Sequence, residues 1–235
     1  MCGRTGLSLG KEKVQCACSY KSKNANLYTK PPWLPEYNAS KDYTPSYNIA
    51  PTDVTPVLIS SSRFRNVVDC DRVLKPMMWG IIPPWHKGDY KTHNLSTNNC
   101  RLENIKSSKL YNPILNNGGR CIIVAEGFYE WQTTNKLSKV KQPYYIYAPQ
   151  NDGVKAWLNI DDVKPHMALA YLKPVKLLSW HQVSIAVNNS RNKTTNCNKR
   201  EEDKKNKKNT QKTLNSWFVK VEKRKLTEDN NVVES

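Results

Sequence analysis

The stretch Arg120–Trp131, Arg-Cys-Ile-Ile-Val-Ala-Glu-Gly-Phe-Tyr-Glu-Trp, carries the clearest β-strand pattern in the chain. Its first half is apolar and β-branched, Glu126-Gly127 predicts a turn, and Phe128–Trp131 continues as an aromatic strand. Glu130 falls between bulky aromatic residues, where an ionised carboxylate is costly unless it is paired. At this point the sequence leaves open an ordinary paired carboxylate of the core.

Further short elements flank this stretch on both sides. Apolar, β-branched or alternating segments predict strands at Val54–Ser60, Arg72–Gly80, Pro143–Ala148 and His181–Val187. Apolar spacing predicts short helices around Val14–Tyr20, in Val154–Ile160 and in His166–Leu172. Pro83-Pro84 predicts a turn that leaves Trp85 near the surface.

The bulk charge is the strongest compositional feature. The chain of 235 residues has 37 Lys+Arg against 20 Asp+Glu, a net charge of +17. Residues 199–235 hold 11 basic and 7 acidic residues, so +13 belongs to residues 1–198. A basic body predicts a nucleic-acid binder, with a generally basic protein as the alternative. No apolar run is long enough to predict a membrane span.

The cysteines and the first residues bear on the chemistry. Seven cysteines without regular spacing predict reduced thiols, and no metal site or cofactor is expected. Removal of Met1 would leave Cys2 with an α-amine and a thiol on adjacent carbons. The amine can form a Schiff base with an aldehyde, and the thiol can close on that carbon as a thiazolidine. The pentapeptide Met1–Thr5 alone favours an ordinary disordered terminus with an incidental cysteine.

Five motifs in order resemble the SRAP family. They are Met1–Arg4, Pro45-Ser46-Tyr47-Asn48-Ile49-Ala50-Pro51, Trp79-Gly80, Asn99-Cys100-Arg101 and Gly127-Phe128-Tyr129-Glu130-Trp131. Val187-Asn188-Asn189-Ser190-Arg191-Asn192 looks like the eukaryotic branch of this family. With the strands above, the resemblance implies an α+β domain with a curved, largely antiparallel sheet and short helices at residues 1–197.

The resemblance also implies a function and a reacting centre. The family shields abasic sites in single-stranded DNA, and its terminal cysteine captures the ring-opened sugar aldehyde. In this chain the nucleophile is then Cys2. Asn99 matches an asparagine that forms hydrogen bonds at the reacting centre, and Glu130 matches an acid that assists sugar ring opening. The implied peptidase-class activity is autoproteolytic exposure of Cys2.

Six further positions match residues that contact DNA in the family, and Gly3 is a seventh candidate on its own chemistry. Gly3 gives a ligand room to approach, Arg4 and Arg101 match phosphate contacts, and Trp85 matches an aromatic residue that stacks on a duplex end at a junction. The positions that match the lining of the DNA channel are Pro45, Trp79 and Gly80. Without the resemblance, an ordinary core aromatic residue is the alternative for Trp85. Partners are therefore single-stranded DNA with abasic sites and single-strand/double-strand junctions, and the protein is expected to be a nuclear monomer at replication forks.

One family feature is missing from the sequence. Family members have a His-x-Arg-Met-Pro motif before an Asp-Gly-x-x-x-x-Trp-Leu segment, but Ala148-Pro149-Gln150 passes almost directly into Asp152–Leu158. Neither His166 nor His181 fits the motif. We therefore expect an internal truncation near residues 150 and 151, from splicing, an imperfect gene model or divergence. A non-covalent DNA-binding module, an inactive truncated variant and a chain that does not fold remain alternatives.

The composition changes after residue 197. Residues 198–235 are rich in Lys, Asn, Glu and Asp and are expected to form a disordered basic tail. Within it, Gln211, Leu214, Trp217 and Phe218 resemble the motif that binds the PCNA sliding clamp. A single helical turn would bring the last three side chains together. Docking of these residues on the protein's own domain is the alternative.

Overall fold

A computed structural model describes residues 3–22, 28–64, 69–93, 95–132, 141–148, 157–170, 172 and 178–201. The chain divides into one unit from Met1 to Arg200 and a second from Glu201 to Ser235. All but one residue of the second unit, including Gln211, Leu214, Trp217 and Phe218, lie outside the described residues. The domain boundary predicted at residue 197 and the disordered tail predicted at residues 198–235 therefore stay predictions.

The described residues form ten short strands and three short α-helices. The strands are β1 Thr5–Leu7, β2 Tyr20–Lys21, β3 Tyr28–Thr29, β4 Ser46–Ile49, β5 Val54–Ser60, β6 Arg72–Met78, β7 Cys121–Ile123, β8 Gly127–Gln132, β9 Gln142–Tyr147 and β10 Ser179–Gln182. The helices are α1 Lys11–Ala17, α2 Tyr111–Asn116 and α3 Pro165–Ala170. Four 3₁₀ turns lie at Ser61–Arg63, Leu102–Asn104, Ile185–Asn188 and Thr195–Cys197.

Antiparallel pairing organises the strands into three sheets. One has the order β10-β9-β8-β1-β4, a second is the pair β2-β3, and a third has the order β6-β5-β7. Strand pairing within all three is antiparallel. The α+β, largely antiparallel fold with short helices is thereby confirmed.

Two apolar clusters hold the five-stranded sheet in place. Leu7 and Ile49 of this sheet pack with Leu58 and Leu74 of the three-stranded sheet. A second cluster contains Tyr129 and Tyr145 together with Val183, Val187 and Cys197. Residues 184–200, here called the strap, contribute Val187 and Cys197 to this cluster. The strap therefore packs against the part of the five-stranded sheet that contains Tyr129 and Tyr145.

The predicted strands at Val54–Ser60, Arg72–Gly80 and Pro143–Ala148 are confirmed, the last two with small changes at their ends. Arg120–Trp131 divides into β7 and β8 around Glu126, as the sequence predicts. The predicted helix in His166–Leu172 appears as α3. Of Val154–Ile160, only residues 157–160 are described, and Trp157 and Leu158 are helical.

Two predicted elements both begin and end earlier in the chain than the sequence predicts. The first helix stops at Ala17, because the Tyr20 hydroxyl accepts hydrogen bonds from the main-chain N–H groups of Asp71 and Arg72, which draws Tyr20 into β2. The last strand ends at Gln182 instead of Val187. The Ser184 side chain accepts a hydrogen bond from Ala186 N at 3.2 Å, which caps a 3₁₀ turn there.

Candidate active site

The register between β1 and β8 brings the start of the described chain beside Glu130. Thr5 pairs with Phe128 and Gly6 with Gly127, and Tyr129 N donates to Arg4 O at 3.0 Å. Continuing this antiparallel register sets Gly3 opposite Glu130. A side chain at Gly3 would meet no atom within 4 Å, so the space there is open. Cys2 itself lies outside the described residues.

Glu130 and its neighbour Tyr129 lie on opposite faces of β8, because side chains alternate along a strand. Tyr129 is fully buried and its ring lies 5.0 Å from that of Tyr145. Glu130 is half-buried and pairs across the ladder with Tyr144 of β9. The Tyr144 hydroxyl donates to Gln132 Oε1 at 2.9 Å. The acid therefore occupies a semi-enclosed position on the sheet face that Gly3 shares by register.

Arg4 extends over the other face and is held by the protein. Its Nη1 donates to Asn48 Oδ1 at 3.1 Å and to Val187 O at 3.0 Å. Its guanidinium carbon lies 5.9 Å from the centre of the Trp131 ring. Burial lowers the pKa of Arg4, and the charge of Asp53 opposes that change. The predicted phosphate contact would thus come from a side chain that is already anchored.

Asn48 is a site residue whose role the sequence did not indicate. It is fully buried in β4, and its Nδ2 lies within hydrogen-bond distance of Val187 O at 3.2 Å, Asn189 O at 3.1 Å and Asn192 O at 2.8 Å. Burial of an amide in the middle of a strand requires such partners. An asparagine between apolar strand residues was the available signal, although only the structure identifies its partners.

A second group of predicted residues forms around Trp79 and Gly80. Trp79 is 9% exposed and donates its indole N–H to Asn98 O at 2.9 Å. Gly80 has a φ of +131°, a conformation that side chains disfavour, so a glycine fits this position. Ile81 N donates to Thr97 Oγ1 at 3.2 Å. These contacts tie the polar segment around residue 97 to the end of β6.

Tyr111 of α2 fixes the other side of this segment. Its hydroxyl lies 3.0 Å from Thr97 O and 3.2 Å from Asn99 O. The main chain of Asn99 is therefore held, and its side chain is half-buried. A cleft of about 240 Å³ lies beside this segment, lined on one side by Trp79 and Gly80 and on the other by Ser96, Thr97 and Asn98.

The turn at residues 50–53 connects the group around Arg4 and Asn48 with the group around Trp79 and Gly80. Asp53 Oδ2 accepts from Ala50 N at 2.8 Å and from Lys193 Nζ at 2.5 Å, and Lys193 Nζ also donates to Asn48 O at 2.6 Å. The same turn pairs with Trp79, since Thr52 N donates to Trp79 O and Trp79 N donates to Asp53 O, both at 2.9 Å. Asp53 is thus hydrogen-bonded to the strap, to the residue after β4 and to the residue after β6.

The remaining predicted contact positions lie at the surface. Pro45 and Arg101 are exposed, and Trp85 is 58% exposed after the Pro83-Pro84 turn, as the sequence predicts. His166 is exposed on α3. The His181 ring lies 5.7 Å from that of Tyr145, with its Nε2 2.8 Å from Asn198 O. His181 is opposite Tyr145 in the sheet, and Tyr145 is opposite Tyr129. The His181 side chain therefore lies on the sheet face of Tyr129 and Arg4 and not on that of Glu130.

Within the described ranges, no group of three or more His, Cys, Asp or Glu side chains has the geometry of a metal site. No helix among those residues is long and apolar enough to span a bilayer.

Comparison with known proteins decides the family. The model of the family described as SOS response associated peptidase (SRAP) matches residues 1–154. The chain belongs to the SRAP family. A relative from Xenopus tropicalis, the abasic site processing protein HMCES, is 31% identical over 265 aligned residues, covering 84% of this chain and 77% of the relative.

Two crystal structures share the SRAP fold of this chain. A protein from Bacteroides thetaiotaomicron superposes with a TM-score of 0.52 and 15% identity, covering 79% of this chain and 93% of its own. A protein from Bordetella bronchiseptica superposes with a TM-score of 0.53 and 12% identity, covering 78% of this chain and all of its own (100%). At these identities the two structures establish the fold alone.

Part of the alignment with the frog relative has no counterpart in this chain. It spans 265 positions, whereas 84% of 235 residues is about 197, so about 68 aligned positions have no residue here. Their placement near residues 150 and 151 stays a prediction.

Proposed function

We propose that this protein processes abasic sites by capturing the ring-opened sugar covalently through Cys2 in single-stranded DNA. Membership of the SRAP family and the printed name of its relatives support an abasic-site role, and that role requires DNA binding. The observation that carries the proposal is the β1–β8 register, which brings Gly3 opposite Glu130. A reactive group at residue 2 would then lie close to an acid on the adjacent strand.

The reaction needs no cofactor. After Met1 is removed, by the chain's own peptidase-class processing or by ordinary methionine removal, the amine of Cys2 attacks the sugar aldehyde. A Schiff base forms and one water leaves. The thiol then adds across the carbon–nitrogen double bond, its proton passes to nitrogen, and a thiazolidine closes.

The surrounding residues support this chemistry in distinct ways. Glu130 transfers the proton that opens the sugar ring. Asn99, on its held main chain, forms hydrogen bonds at the reacting centre. Arg4 and Arg101 contact phosphates, since a guanidinium matches their geometry. The DNA channel is then lined by Gly3, Pro45, Trp79 and Gly80, and the exposed Trp85 stacks on a duplex end at a junction.

The missing histidine sets the expected speed. A general acid or base contributes about 10²–10⁴-fold to a rate. Neither His166 nor His181 lies on the sheet face of Glu130, so neither replaces the missing histidine. Capture or its reversal is therefore expected to be slow. The nucleophile does not depend on that histidine, so a stable adduct still forms.

The test is trapping on an abasic single-stranded oligonucleotide. Wild-type protein should give an adduct that survives heating in detergent, and Cys2→Ala should give none. Cys16→Ala, which removes an exposed thiol elsewhere in the chain, is the matched control and should react as the wild type does. Equal trapping by Cys2→Ala would remove Cys2 from the mechanism.

A non-covalent DNA-binding module is the second candidate function. It is favoured by the net charge of +13 on residues 1–198 together with the gap of about 68 aligned positions. In that case the protein would bind single-stranded DNA with a salt-dependent affinity and leave no heat-stable adduct. An inactive truncated variant would show neither property.

The proposed setting is the replication fork in the nucleus, where the captured lesion is shielded. The tail supports this through Gln211, Leu214, Trp217 and Phe218, which match the motif for the PCNA sliding clamp. A peptide of residues 208–225 should bind the clamp, and Trp217→Ala or Phe218→Ala should each abolish binding. Lack of binding by the unaltered peptide at high concentration would end this part of the proposal.

A further inference from the structure

Asn48 joins three elements that meet beside the reacting centre. From the buried interior of β4 its amide group contacts Arg4 on one side and the strap on the other. Val187 O accepts from both Arg4 Nη1 and Asn48 Nδ2, at 3.0 and 3.2 Å. The two side chains and this carbonyl therefore form a closed triangle of hydrogen bonds.

The orientation of the amide follows from its neighbours. Nδ2 faces three carbonyl oxygens, which only a donor can satisfy, so Oδ1 must face the guanidinium of Arg4. Both polar atoms of this fully buried side chain then have hydrogen-bond partners. Such a fully satisfied buried network holds its members in one arrangement.

This arrangement acts on Gly3, the first described residue, through the main chain of Arg4. Arg4 O accepts from Tyr129 N at 3.0 Å, and Gly3, the next residue toward the terminus, falls opposite Glu130 when the register of β1 and β8 is continued. Fixing the Arg4 side chain fixes the end of β1. The strap lies beyond the family match at residues 1–154, although it supplies the carbonyls of this network.

We propose that Asn48 is a positioning residue for capture: it anchors Arg4 and thereby holds the terminal segment against Glu130. This role rests on the proposed function. Asn48 contacts neither DNA nor the reacting atoms, and it acts through Arg4. Misplacing a reacting group by about 1 Å can cost 10²-fold in rate, which sets the scale of the expected effect.

The test compares three variants of the full chain. Asn48→Leu removes both the Arg4 contact and the strap contacts. Asn48→Asp keeps an acceptor for Arg4 but has no N–H for the strap. Lys193→Met removes the bonds to Asp53 and Asn48 O and leaves the Asn48 amide unchanged. All three should lower the melting temperature, because each loosens the strap.

Single-turnover capture at saturating DNA should separate them. Asn48→Leu should slow capture by about 10- to 100-fold, Asn48→Asp by much less, and Lys193→Met not at all. Hydrogen exchange of the amides at residues 3–7 should rise in Asn48→Leu alone. A slowing that follows melting temperature equally in all three variants, or unchanged exchange in Asn48→Leu, would overturn the proposal.

Two controls keep the result decisive. If Asn48→Leu does not fold, Asn48→Ser replaces it, since the serine hydroxyl lies where the amide carbon of Asn48 was and is therefore too short to keep the contact with Arg4. If the wild type captures no abasic DNA, the proposed function fails. Hydrogen exchange at residues 3–7 then decides the positioning role without any DNA.

Discussion

The candidate site is built from two regions that are held in different ways. The strand region, β1, β4 and β8 with Arg4, Asn48 and Glu130, belongs to a continuous antiparallel sheet. The loop region, the described residues between 79 and 101, is held by hydrogen bonds: the side chains of Trp79 and Tyr111 donate to nearby main-chain oxygens, and Thr97 Oγ1 accepts from Ile81 N.

This difference assigns the two regions different tasks. A ladder of main-chain hydrogen bonds fixes residues to fractions of an ångström, as proton transfer and covalent attack require. A loop held by a few side chains opens locally at a lower free energy, which suits a surface that must admit a DNA strand. Proton transfer by Glu130 should therefore depend on the strand region, and loosening the loop region should lower DNA affinity more than it slows that proton transfer.

The largest expected effect lies in the strand region, at Glu130. Glu130→Gln keeps the size of the side chain but cannot transfer a proton. Capture at saturating DNA should slow by about 10²–10⁴-fold, with DNA affinity nearly unchanged. The capture rate is measured by quenching the trapping reaction at a series of times. The DNA affinity is measured by binding to an oligonucleotide without a lesion.

Glu126→Gln is the matched control for Glu130→Gln. Glu126 lies on the exposed turn before β8 and accepts a hydrogen bond from Ser8 N at 2.5 Å. Its variant should capture at the wild-type rate. Capture by Glu130→Gln at that same rate would contradict the role of the acid.

The second effect is on stability at high pH and also concerns the five-stranded sheet. Burial raises the pKa of both Tyr129 and Tyr145 above the reference value of about 10. A raised folded pKa means that the folded state holds the proton more tightly. The stabilisation is thus fully present below about pH 10 and is lost as the pH rises further.

Chemical denaturation between pH 8 and pH 11 should therefore give a free energy of unfolding that is level at first and then falls. Tyr129→Phe should flatten the fall. Because it also leaves Tyr47 O without its 2.5 Å bond, this variant should be less stable at pH 8 by about 1–3 kcal/mol. A fall as steep as that of the wild type would show that other groups dominate.

The third effect tests the loop region through Tyr111. Tyr111→Phe removes the hydroxyl that binds Thr97 O and Asn99 O, at an expected cost of about 1 kcal/mol. Hydrogen exchange should increase at residues 97–101 and remain unchanged at residues 127–132. Affinity for single-stranded DNA should fall more than the capture rate at saturation.

Tyr28→Phe provides the control for a lost tyrosine hydroxyl, since Tyr28 is 80% exposed. It should leave exchange and affinity at wild-type values. Increased exchange in β8 of Tyr111→Phe would mean that the two regions are not held independently.

The smallest effect concerns Arg101 at the edge of the loop region. Arg101→Gln should weaken binding to all single-stranded sequences alike and reduce the slope of log affinity against log salt by about 1. Arg63→Gln, where the arginine donates to Asn117 O at 2.6 Å, should leave that slope unchanged. An unaltered slope in Arg101→Gln would remove Arg101 from the phosphate contacts.

The same two regions differ in how far sequence could predict them. β5 was predicted to the residue and β8 nearly so, because an apolar, β-branched or aromatic run carries its own strand pattern. The segment Leu95–Arg101 has no such pattern. Its position depends on Tyr111 and Trp79, whose contacts with it are tertiary.

The hydrogen-bond network of Asn48 shows the same limit. The motif around Tyr47-Asn48-Ile49 was visible, but its partners lie about 140 residues further along the chain. The second half of the predicted strand His181–Val187 forms a 3₁₀ turn of the strap instead, because Ser184 caps that turn. A local sequence pattern does not predict a hydrogen-bond partner that lies so far along the chain.

The most direct measurement of the central claim is the mass of the terminal peptide after reaction. Wild-type protein is incubated with an abasic single-stranded oligonucleotide, the DNA and protein are digested, and the modified peptide is sequenced by mass spectrometry. Capture through Cys2 should yield a peptide that begins at Cys2 and carries the sugar remnant, with the loss of one water on joining. An adduct on a lysine, or an unmodified Cys2 in protein that has been trapped, would contradict it.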